Sequence, residues 1–131
     1  MDYKNLFEKF NEGGKLLLPD ATVAFDTIPW CKHPVFEGVE LKHIITSSKT
    51  DGQFSFHLVR IAPDQKIGNH IHETQLETHE VISGAGVCRN NGVELPYEAG
   101  VISIFPIGVP HEVIAGADGL YLFAKFMPAL C

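Results

Sequence analysis

The chain has 131 residues, 45% of them hydrophobic, and 10 Lys and Arg against 16 Asp and Glu, for a formal net charge of −6. That length and apolar content suit one packed core and exclude a disordered chain. The scattered cationic residues and the acidic balance argue against a nucleic-acid surface or an anionic membrane as partner.

No apolar run reaches the roughly 20 residues that a membrane-spanning helix needs. The best, residues 101–109, is broken by Ser103, Pro106 and Gly108. The opening Met1-Asp2-Tyr3-Lys4-Asn5 lacks the pattern of a secretion signal, so the expectation is a soluble, cytoplasmic protein without membrane partners. Cys31, Cys88 and Cys131 are an odd number with no C-x-x-C pair, and they read as reduced thiols.

Tyr3, Leu6, Phe7 and Phe10 have the spacing of one helical face and Gly13-Gly14 ends it, which predicts a short amphipathic helix over residues 2–11. From Lys15 the texture changes to short apolar runs between turns. Strands are expected at residues 16–18 and 22–25, then at 39–46, which ends in the turn Ser47-Ser48-Lys49-Thr50-Asp51-Gly52. Residues 54–62 alternate, with Phe54, Phe56 and Leu58 on one face and Ser55, His57 and Val59 on the other, until Pro63-Asp64 turns the chain into a strand carrying His70. Residues 77–89 read as a strand that Asn91-Gly92 folds back through 93–95. Residues 101–105 follow, then the turn at Pro106-Ile107-Gly108, a strand at 110–115 closing at residues 116–119, and a last strand at 120–127. The division is an N-terminal helical or extended segment, residues 1–20, and a single all-β sandwich or barrel domain, residues 21–131.

His70 and His72 are separated by one residue, so in extended backbone both side chains point to one side. Glu77 follows five residues after His72, and His111 arrives on a later strand. Three imidazole nitrogens and one carboxylate oxygen suit a divalent transition metal, with Fe, Mn, Ni, Zn and Cu all compatible. His79 shares the parity of Glu77 and is the candidate for acid-base work or for a hydrogen bond to Glu77. Gln75 has the same parity and is a candidate ligand contact; Arg60 is a candidate clamp for a substrate carboxylate. His57 and Arg60 lie on opposite faces of their strand, so at most one looks inward. His33 and His43 are given no role.

The run His70-x-His72, four residues, Glu77, six residues, Gly84 resembles the first motif of the cupins, and Gly100, Pro106, Gly108 and His111 match the second. Ala85 to Ala99 separate the two, a compact spacing similar to that of small single-domain cupins, and the resemblance covers roughly residues 36 to 127. Asp64 stands where the first motif opens with glycine, and Ala115 where the second ends in Asn. The resemblance implies a jelly-roll β-barrel with a mononuclear metal on His70, His72, Glu77 and His111, and a homodimer to which the N-terminal segment contributes. It also implies either a metalloenzyme of dioxygenase, isomerase, lyase or decarboxylase type acting on a small oxygenated or carboxylated metabolite, or a module that only binds or senses a small molecule.

Overall fold

The computed structural model describes residues 5–131. A helix, α1 (Leu6–Gly13), precedes a hairpin of β1 (Lys15–Leu18) and β2 (Ala21–Ala24), and a 3-10 turn at Phe25–Thr27 leads into the main sheet. That sheet is built from β3 (Cys31–Lys32), β4 (Val39–Ile45), β5 (Ser55–Ile61), β6 (Lys66–His70), β7 (Leu76–Asn90), β8 (Val93–Glu98), β9 (Ile102–Phe105) and β10 (His111–Met127). Its order is β3-β4-β5-β10-β7-β8, with β6 also paired to β10 and β9 to β7, all antiparallel. The fold is an all-β jelly roll with one short helix preceding it. Among the described residues no helix is long and apolar enough to cross a membrane.

Two long strands make this architecture. The first half of β7 pairs with β9 and with the second half of β10, whereas its second half pairs with β8 and with the first half of β10. Each strand therefore serves both sides of the roll. At the corner the ladder jumps from Ala115↔Gly86 to Leu120↔Gly84. A Cβ at Gly84 would strike the Gly119 carbonyl, and one at Gly86 the Ile114 carbonyl, so only glycine lets the backbones cross this closely.

Here the structure corrects the sequence expectation. Residues 116–119 do not close one strand and open another; they form an irregularity inside β10, because pairing with β7 resumes beyond them. Residues 47–50 form a short helical turn, α2 (Ser47–Thr50), ended by Asp51 at φ 53° and Gly52 at φ 77°. Tyr3 lies outside the described residues, and the helix itself runs to Gly13. The β1–β2 hairpin straddles residue 20.

Apolar side chains divide into two clusters because strand residues alternate faces. Val39, Val59, Ile61, Val81, Tyr97, Phe105, Leu122 and Phe126 fill the interior. Leu58 and Phe123 point outward and are covered by Phe7 of α1 together with Phe25 and Ile44. The Phe7 ring lies 5.1 Å from that of Tyr121, so the helix is docked by aromatic packing.

Candidate metal centre

His70 ends β6, His72 follows in extended chain, Glu77 opens β7 and His111 opens β10. The register pairs His70 with His111 across β6 and β10. Asp64 carries φ 61°, so the position that matches the motif glycine does adopt a left-handed turn, which Asp tolerates. This turn returns the chain into β6 and places His70.

One ligand atom from each of His70, His72, Glu77 and His111 lies within 4.8 Å of all the others. Nε2 of His70 is 3.2 Å from Nε2 of His72, and Oε1 of Glu77 is 3.1 Å from His72 Nε2 and 3.0 Å from His111 Nε2. The tautomers follow from the second nitrogens. His70 Nδ1–H donates to the Gly68 carbonyl at 2.7 Å, and His111 Nδ1–H to the Val109 carbonyl at 3.0 Å, because a carbonyl only accepts. In the neutral rings Nε2 then bears a lone pair, and lone pairs crowd together around one point. A cation there relieves that repulsion, and donors about 2.0–2.2 Å from an ion stand roughly 3 Å apart, as these do. The donor set fits a divalent metal.

Burial opposes ionisation of Glu77, but His79 beside it and the close ring nitrogens of His111 and His72 outweigh this and hold its carboxyl well below the usual range. Burial also lowers the pKa of His70, against the opposing pull of the Gly68 carbonyl. His79 Nε2–H donates to Glu77 Oε2 at 2.7 Å, which leaves His79 Nδ1 to accept from the Tyr97 hydroxyl at 3.0 Å. Burial raises the pKa of Tyr97, so it stays a donor. His79 thus holds Oε2 of the Glu77 carboxylate and leaves Oε1 facing His72 and His111. Phe105 stacks on His111 with centroids 4.1 Å apart, and Phe126 meets His72 edge-on at 5.3 Å.

The four residues and His79 line a cavity of 610 Å³ whose remaining wall is mostly apolar, with Phe36, Leu41, Val59, Ile67, Val113 and Phe126. Lys32, His33, His43, Cys31 and Cys131 add the other polar or polarisable groups.

Two expected ligand contacts are not brought to this cavity. Gln75 precedes β7 and donates through Nε2 to the Ala129 carbonyl at 2.9 Å, because the strand parity that carries Glu77 and His79 begins only at Leu76. Arg60 points to the opposite face of β5 from His57; its guanidinium lies 4.0 Å from the Trp30 ring centroid and bonds Glu40 at 3.1 Å. The sequence reading missed Tyr97, His33 and His43. Tyr97 enters through the pairing Gly86↔Tyr97 and His43 through His43↔His57, registers that no short-range pattern reveals.

A cupin domain family model matches residues 57–122, half of the chain. An oxalate-binding protein of Thermotoga maritima is 26% identical over 76 residues, 57% of this chain and 63% of that protein, so the match spans less than two thirds of the relative. Among solved structures, a predicted oxalate decarboxylase from Thermotoga maritima superposes with TM-score 0.72 at 22% identity over 79% of this chain and 95% of that one. KdgF from Halomonas sp. gives 0.69 at 17% identity, covering 79% of this chain and 88% of that one. A cupin-superfamily sugar phosphate isomerase from Silicibacter pomeroyi gives 0.65 at 23%, covering 78% and 72%. Identities this low speak for the fold alone. With the family model spanning the strands that carry Glu77 and His111, and with both histidine motifs meeting inside the roll, the chain belongs to the cupin family.

Proposed function

We propose that the protein binds one divalent transition metal through His70, His72, Glu77 and His111 and acts as a metalloenzyme on a small carboxylated or oxygenated metabolite that carries an apolar body. The observation that carries this is the meeting of three imidazole nitrogens and a carboxylate at the wall of an apolar cavity. When bound, the ion supplies Lewis-acid chemistry toward a ligand oxygen. The chain's own residues do the rest. Phe36, Ile67 and Phe126 exclude water and hold the apolar part, and His79 with Tyr97 keeps Glu77 turned toward the ion. Both nitrogens of His79 are engaged, which favours positioning over direct proton transfer to a substrate.

The oxalate-binding relative supports a carboxylate ligand. Oxalate itself fits poorly: 610 Å³ lies in the range of pockets for much larger molecules, and Lys32 is the one Lys or Arg in the lining among the described residues. Metal analysis after loading with Fe, Mn, Ni, Zn and Cu in turn, then ligand titration of each form, tests the reading. We expect one equivalent of metal held at this group, that equivalent lost in His72→Ala, and metal-dependent binding of acids with an aliphatic or aromatic portion in preference to oxalate. A metal stoichiometry in His72→Ala unchanged from wild type, or ligand binding indifferent to metal removal, would reject it. Turnover of a bound acid separates an enzyme from a binding module.

The exposed Ile102 and Ile104 on β9, with Val93 and Leu95 on β8, also support a homodimer. Light scattering should give twice the chain mass, and a monomer at high micromolar concentration would dispose of the dimer.

A further inference from the structure

A second group of donors borders the cavity, whose wall includes His43 and Cys131. His43 on β4 and His57 on β5 are direct register partners with their Nδ1 atoms 2.7 Å apart. Cys131 joins them, one ligand atom of each lying within 4.8 Å of the others. His57 is fully buried, and its Nε2 is held 2.8 Å from Ser55 Oγ. That hydroxyl oxygen accepts the Leu130 N–H at 2.8 Å, and the Cys131 carbonyl accepts the Ser47 N–H at 2.6 Å. The backbone carrying Cys131 is therefore fixed against the same strands. The Phe126 ring packs edge-on between the two groups, 5.5 Å from His57 and 5.3 Å from His72.

We propose that His43, His57 and Cys131 form a second metal site, which takes one borderline-to-soft cation of the Zn²⁺ type through two imidazoles and a thiolate, with its remaining position open to the cavity. The donor set differs from the first: sulfur replaces carboxylate, and thiolate with imidazole selects zinc or copper over the harder ions. Burial lowers the pKa of both histidines, that of His57 to about 4, so both rings are neutral near pH 7 and offer lone pairs. Coordination by both Nδ1 atoms leaves each ring proton on Nε2, where His57 has Ser55 Oγ as acceptor, and the thiol proton goes to solvent. The nitrogens would part from 2.7 Å to about 3.3 Å, the separation that Zn–N bonds of about 2.0 Å require at a tetrahedral ion. Half-buried His43 can make that movement. The ion would then clip residues 129–131 to β4 and β5.

Titration of the reduced full chain with Co²⁺ tests this, because a near-ultraviolet thiolate-to-cobalt absorption arises only where sulfur is a ligand. Wild type and His72→Ala should both develop the band, saturating at one equivalent in His72→Ala, and Zn²⁺ should displace it. Cys131→Ser and His43→Ala, both at positions reached by solvent, should lose the band and still take up cobalt at the first group. Absence of the band from folded wild type, its survival in Cys131→Ser, or its loss in Cys31→Ser alone would overturn the site.

Discussion

Burial brings the His57 imidazole from 6.5 to a pKa of about 4, with His43 adding to the effect. Its folded pKa lies below its unfolded value, so the unfolded chain binds the extra proton between those two values. Stability from this group is complete above pH 6.5 and is lost as pH falls toward 4, on the order of 3 kcal/mol at most. Urea denaturation of metal-free protein across that window should show the loss, and His57→Gln should flatten the slope; an unchanged slope would mean that the ring is solvated. The Glu77–His79–Tyr97 chain yields a second expectation. His79→Ala releases one oxygen of Glu77 and Tyr97→Phe loosens the ring that holds it, and metal affinity should drop roughly 10–100-fold by competition with a chelator. A drop in turnover with metal affinity intact would instead return His79 to a direct part in the chemistry. His70, His72, Glu77 and His111 were legible because fixed spacings carry them. Tyr97, eighteen residues from His79, was not, since strand register across β7 and β8 decides where its hydroxyl lies.

Among the elements, α1 is held to the outer face of β5 and β10 by Phe7, which is almost wholly buried against Tyr121 and Phe123. Phe7→Ala should cost about 3–5 kcal/mol by thermal or chemical denaturation. A cost under about 1 kcal/mol would show that the helix contributes little. The turn before β6 makes a complementary case. Asp64 at φ 61° accepts a conformation that a β-branched residue resists, so Asp64→Val should destabilise by about 1 kcal/mol or more while Asp64→Gly does not. The alternation in residues 54–62 makes β5 and its two faces legible in the sequence, because a period of two has no other regular reading. What hid the unity of β10 was its own composition, for Gly116 and Gly119 read locally as a turn although cross-strand pairing with β7 carries the strand through.

At the scale of the whole molecule, the central position of β10 has a kinetic consequence. It hydrogen-bonds β5, β6 and β7, yet it is the last strand of the described chain. His70, His72 and Glu77 are therefore synthesised well before the strand that brings His111 and joins the two halves of the sheet. Little of the barrel can persist until that strand docks, because most of its stabilising pairs are distant in sequence. Refolding from denaturant should accordingly be one slow, cooperative event on the millisecond-to-second scale, and metal added during refolding should slow unfolding far more than it speeds folding. Stopped-flow traces in which metal accelerates folding in proportion to the stability it adds would mean that the ligands already meet in the transition state, before β10 has found its place between its neighbours.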